Sequence, residues 1–123
     1  MGRFEILTEE ILPIPATLEE AIERLKKSKG VKEWAKMKED SAVGASHHGM
    51  GAWIRNEWGL WKGSPLSEHF NTMGIFHPDD MSGIIMTSLH RALNNKPLNI
   101  EGQVKYYTDY WKAMGRKNDG TVQ

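Results

Sequence analysis

One segment limits the fold of this chain more than any other. Met81, Ile84, Ile85, Met86, Leu89, Ala92 and Leu93 recur so that, on a helix, they cover more than half of its circumference. A helix with so wide an apolar arc belongs at the centre of a fold, mostly buried. The preceding His77, Pro78, Asp79 and Asp80 supply its start: proline fits the first helical position, and two carboxylates face the positive end of the dipole. The spacing therefore predicts an all-α, compact single domain. At 123 residues the chain is long enough to close one core without disulfides or metal staples.

Local signals divide the remainder into further helices. Thr17 and Glu20 form a capping box, and Leu18, Ala21, Ile22 and Leu25 give the helix that follows an apolar side, with Gly30 as its stop. A short helix is expected over 31–39 with Trp34 and Ala35 inward, then a loop over 40–46. From about His47 to Trp58 a helix carries Met50, Ile54 and Trp58 on one stripe. Ser64 and Pro65 start another, which packs Leu66, Phe70 and Met73 and stops at Gly74. Asn99 caps a last helix whose Ile100, Val104, Tyr107, Trp111 and Met114 recur at intervals of four and three. No segment alternates at period two for long enough to make a strand. The expectation is five to six helices over 1–115, with an extended lead-in over 5–15, where Pro13 and Pro15 disfavour helix, and a flexible polar tail over 116–123.

Charge and composition exclude several functions. Sixteen Lys and Arg balance sixteen Asp and Glu, so there is no basic surplus for non-specific nucleic-acid binding. No apolar run reaches membrane-spanning length, and 1–12 carries three glutamates and no apolar leader core, so a cytoplasmic protein is expected. The absence of cysteine excludes thiolate metal sites. His47 and His48 are adjacent and diverge on a helix, and no His-x3-His or His-Glu-x-x-His pattern occurs. No metal and no cofactor is expected.

The charge distribution points to residues 46–95. That block holds all five histidines and three of the five tryptophans, but only three of the sixteen Lys and Arg and four of the sixteen Asp and Glu. Solvated surface is rich in Lys and Glu, so this block is either core or a specific site, and its few charges need particular partners. His48 and Arg55 share a face with Asn56 at its edge. Asp80, Thr87 and Arg91 align on the narrow polar strip beside the wide apolar arc. Arg55 and Arg91 at the margin of apolar surface suit either an internal ion pair, Arg55 with Asp80 for example, or a bidentate grip on a carboxylate or phosphate. His77 with Asp79 or Asp80 is the candidate acid–base pair; the same two carboxylates also serve simply to stabilise their helix. Trp58 and Trp61 are either packing residues or the lining of a cleft. Ser64 closes a turn from Gly59 whose amides are anion-friendly, although its glycine spacing is not that of a P-loop.

The residues of this block also form an unusual signature. Trp53-Ile54-Arg55-Asn56-Glu57-Trp58-Gly59-Leu60-Trp61, Gly63-Ser64, Phe70, Gly74-Ile75, His77-Pro78-Asp79-Asp80-Met81-Ser82 and His90-Arg91, with the opening at Thr17 to Ala21, resemble an uncharacterised family of small bacterial and phage domains. The resemblance runs over roughly 17–97, with departures at Glu57 and Pro65. It implies no substrate or mechanism.

Three functions follow as expectations. The first is a non-enzymatic binding module of bacterial or phage origin that captures a protein partner or a small anionic, nucleotide-like ligand. Rigid aromatics and lone arginines, the residue types of binding hot spots, support it. The second is a small hydrolase or transferase on a phosphorylated or nucleotide-like substrate, with Arg55 and Arg91 on the anion and His77 or His48 moving protons. The third is a structural domain, or one that associates with a second copy.

Overall fold

The computed structural model describes residues 13–117, and among them are seven α-helices and no strand. The all-α expectation stands. Positions 5–12 of the extended lead-in and 118–123 of the polar tail lie outside the described residues. Pro13 to Pro15 carry no regular structure, and α1 (Leu18–Leu25) follows immediately. Thr17 caps it: its hydroxyl accepts from the Glu20 amide at 3.2 Å. The Glu20 carboxylate reaches back to the amide of Ala16, at 3.3 Å, one residue beyond the usual capping-box partner. Leu18, Ala21, Ile22 and Leu25 are all buried, as their spacing requires.

After α2 (Val31–Ala35) the chain departs from the sequence expectation. The stretch read as a loop is α3 (Glu39–Ser46), and the next helix, α4 (Met50–Glu57), starts three residues later than His47. Residues 40–46 are Asp40 followed by Ser, Ala and Gly around one Val, with weak periodicity and modest propensity. Tertiary contacts hold them helical. The Trp34 indole N–H, buried in α2, donates to the Ala42 carbonyl at 3.0 Å and to the Ser46 hydroxyl at 2.6 Å. Small side chains also let α3 lie close to its neighbours: Ala42 is fully buried and Ser46 nearly so. This added helix raises the count from six to seven.

The two remaining caps form as expected. In α5 (Pro65–Thr72) Ser64 and Ser67 exchange side-chain and backbone hydrogen bonds at 3.2 and 2.7 Å. In α7 (Ile100–Ala113) the Asn99 side chain accepts from the Gly102 amide at 3.2 Å.

The predicted central helix is α6 (Pro78–Leu93), and it packs against all six others. Ile84, Ile85 and Leu89 have no exposed surface, and Met81 and Met86 almost none. The core continues through Trp34, Ile54, Trp58, Leu66 and Phe70 from the surrounding helices. Burial also takes in polar residues of α6, because Asp80, Ser82, Ser88 and His90 are buried too. Each takes a hydrogen-bond partner on a neighbouring element. The His90 ring donates through Nε2 to the Met37 carbonyl at 2.8 Å, and its other nitrogen has no partner among the described residues.

Arg91 has the firmest of these links. Its guanidinium grips Glu39, at the start of α3, through two bonds of 2.8 and 3.1 Å, and donates a third to the Leu98 carbonyl at 2.7 Å. The arginine therefore ties α6 to α3 and to the turn before α7. Hydrogen bonds from Arg91 hold the Glu39 carboxyl below its ordinary range, against an opposing effect of burial. A depressed folded-state value stabilises the fold above the unfolded carboxyl value of about 4.3. That contribution is lost as pH falls through the lower folded value. Arg91→Ala and Glu39→Ala should each lower stability, with a coupling of about 0.5–3 kcal/mol in a double-mutant cycle. Urea titrations at pH 7 and below pH 4 test both points, since the coupling should fade in acid.

Candidate functional site

The first turn of α6 is assembled from its own signature residues. His77 is the N-cap, and its Nδ1 accepts from the Asp79 amide at 3.0 Å. With Nδ1 as acceptor, the neutral ring carries its proton on Nε2. The next amides, of Asp80 and Met81, donate to the His77 carbonyl at 3.0 and 3.1 Å. The helix terminus is therefore already satisfied by the chain itself. The His77 ring stacks on Trp111 with centroids 5.7 Å apart and meets the edge of Trp61 at 5.8 Å.

α7 lies antiparallel along the side of α6 that carries Asp80 and Ser88, which explains why those two are buried. Three contacts fix the register. Gln103 donates to the Ser88 hydroxyl at 3.0 Å. Tyr107 places its hydroxyl against Gly83, where any Cβ would overlap it. Trp111 donates its indole N–H to Asp80 Oδ2 at 2.8 Å. Between the two helices is a pocket of about 290 Å³. His77, Asp79 and Asp80 form one wall; Tyr106, Tyr107, Tyr110 and Trp111 form the other.

The electrostatics of this pocket are acidic. Asp80 is 7% exposed, and burial pushes its carboxyl above the ordinary range, with Asp79 adding to the effect and the Trp111 hydrogen bond and His77 opposing it. Burial, the Asp80 charge and Tyr106 push the Tyr107 phenol up to about 12. Among the described residues, no Lys or Arg lines the pocket.

Of the residues singled out in the sequence, His77, Asp79 and Asp80 come together here and the others do not. The expected Arg55–Asp80 pair is replaced by another. Arg55, 7% exposed, pairs through Nε with Asp79 Oδ1 at 3.4 Å and donates to Ser82 Oγ at 2.8 Å and to the His47 carbonyl at 3.0 Å. Asp80 turns instead toward α7. The two aspartates sit about 100° apart on the helix, so the direction from which each neighbour approaches decides which partner it takes. Gly51 leaves the space for the guanidinium: a Cβ there would lie 3.1 Å from Nη1. The donors of Arg55 are directed into the fold.

Arg91, engaged with Glu39, lies eleven residues beyond Asp80, about 16 Å along the axis at the rise of a helix. Trp58 is a core residue, edge-on to Trp53 at 5.7 Å. His48 and Asn56 are exposed on α3–α4 and line no part of the pocket. The turn amides that looked anion-friendly are engaged internally, Gly63 with the Gly59 carbonyl and Ser64 with Ser67. Trp61, 57% exposed, continues the aromatic surface past His77. Among the described residues no three His, Asp or Glu side chains gather to hold a metal ion, and no helix is long and apolar enough to cross a membrane.

The α7 half of the pocket was missed in the sequence. Tyr107 and Trp111 belong to its apolar stripe and read as packing, which they also are. The available signal was Tyr106 and Tyr110, two large aromatics four residues apart and off that stripe. They are 67% and 48% exposed.

A family model described as a domain of unknown function, DUF6794, matches residues 14–93, a range that contains α1 to α6 and ends before α7. No curated protein and no solved structure matches the chain.

Three substitutions test this geometry. Gly83→Ala should cost about 1–3 kcal/mol by overpacking against Tyr107, and Tyr107→Phe in the same chain should recover part of the loss by removing the hydroxyl. Thermal melts of the single and double variants decide this. Asp80→Asn keeps an acceptor for Trp111 while removing a buried charge. A raised folded-state value gives stability below the unfolded value that disappears as pH rises through the folded one. The asparagine variant should therefore melt at or above wild type at pH 7, with the gap closing toward about pH 4.

Proposed function

The chain belongs to the DUF6794 family, a domain of unknown function, and we propose that it is a non-enzymatic binding module whose α6–α7 pocket receives a positively charged group of its ligand or partner. The observation that carries this reading is the sign and texture of the lining: two carboxylates among aromatic rings, with no Lys or Arg of the described residues in the lining and only Asp79 paired, to Arg55 from outside it. Ring faces and carboxylates both attract positive charge. The ligand sign is thus opposite to that suggested by the two arginines alone, whose guanidinium groups are held by Asp79 and Glu39.

The arrangement supports binding better than catalysis. A buried carboxyl with a raised pKa in a pocket is one mark of an active site, and Asp80 carries it. Its surroundings do not extend that role. The His77 Nδ1 is committed to the helix cap, Asp79 is paired with Arg55, and the Tyr107 phenol at about 12 stays protonated near neutral pH, a poor nucleophile or base. Rigid aromatics in a preformed concavity are what binding sites use.

The charge sign is directly testable. In a chemical-shift titration followed at the Trp111 indole, methylammonium and methylguanidinium chlorides should give saturable shifts, and inorganic phosphate and acetate none. Asp80→Asn should weaken the cation response about tenfold, which corresponds to about 1.4 kcal/mol. A saturable anion response at the same resonance would reverse the assignment.

A further inference from the structure

Resting on the reading of the pocket as a cation site, we infer that the group it takes is a methylated ammonium, with no N–H to satisfy, carried by a choline-type small molecule or by a trimethylated lysine. The argument turns on which acceptors remain free. A guanidinium is held most firmly by a carboxylate presenting both oxygens in a fork, and neither aspartate does so. Asp80 Oδ2 already accepts the Trp111 indole N–H, and Asp79 Oδ1 faces the Arg55 guanidinium. A primary ammonium carries three donors and loses strong hydration on entering. Against those donors the two carboxylates offer, among the described residues, one unengaged oxygen each.

A trimethylammonium group has no donors to satisfy. Its charge is spread over methyl groups, which pack against rings while the quadrupoles and a carboxylate neutralise them. The indole of Trp111, the three phenols and the His77 imidazole line the pocket, and Asp80 supplies charge at the N–H edge of the indole. The walls are braced before any ligand arrives. Trp111 is stacked on His77 and hydrogen-bonded to Asp80, and Tyr107 is fixed against Gly83. Tyr106 and Tyr110, edge-on to Tyr107 and Trp111 at 5.1 Å each, form the more exposed rim. A pocket of about 290 Å³ admits the headgroup with room for its tether.

The test uses the full chain and calorimetric or fluorescence titration with five probes. These are choline, a peptide bearing trimethyl-lysine, methylammonium, methylguanidinium and the uncharged choline isostere 3,3-dimethylbutanol. Choline or the peptide should bind at least about tenfold tighter than the other three, the scale of a desolvated cation–π contact; whichever of the two is tighter names the source. Tyr110→Leu should lose about tenfold and Tyr110→Phe little, both with unchanged melting temperatures because that ring is half-exposed. Methylammonium or methylguanidinium binding as tightly as choline would overturn the methylated-ammonium assignment and leave the cation reading standing. Equal binding of the uncharged isostere, or no response to any cation, would overturn both.

Discussion

The structure depends on α6 having no solvated face. A helix surrounded on all sides would ordinarily be apolar throughout, yet this one carries Asp80, Ser82, Ser88, His90 and Arg91 into the interior or its margin. A buried polar group without a partner costs about 1–3 kcal/mol, more when charged, so every surrounding element must supply a matching atom at the right height. Arg55 on α4 meets Ser82, Gln103 and Trp111 on α7 meet Ser88 and Asp80, the Met37 carbonyl meets His90, and Glu39 on α3 meets Arg91. Apolar contact alone would let those helices slide by a turn. The polar contacts permit one register each.

The same constraint separates what could be read in the sequence from what could not. The apolar arc of α6, the caps at Thr17, Ser64, His77 and Asn99, and the apolar side of α1 are local patterns, and the fold obeys them. Residues 40–46 show no such pattern because their helicity comes from Trp34, a residue on another element. Likewise the poverty of charge in 46–95 correctly implied dedicated partners for Arg55 and Arg91. Which carboxylate each would find depended on helix directions that no sequence period encodes. Asp79 rather than Asp80, and Glu39 from outside the block, are the outcome.

The candidate site shows a further limit of reading by blocks. Its α6 wall lies in the charge-poor segment, but the aromatic wall comes from α7, where charged residues are common and the tyrosines look like surface. The family match likewise ends at residue 93. The signature residues within it have architectural duties, since His77 caps α6, Arg55 joins α4 to α6 and Ser64 closes the cap of α5. Those duties fix the first turn of α6, against which α7 then sets its rings.

His77 serves two structures with one ring. Its Nδ1 closes the end of α6 while its face stacks on the indole that walls the pocket. Fraying of that first turn consequently also removes one brace of the pocket wall. Whatever occupies the pocket therefore opposes fraying by mass action. Occupancy would be felt as slower amide exchange at Asp79, whose N–H the ring holds, without any movement of the helices.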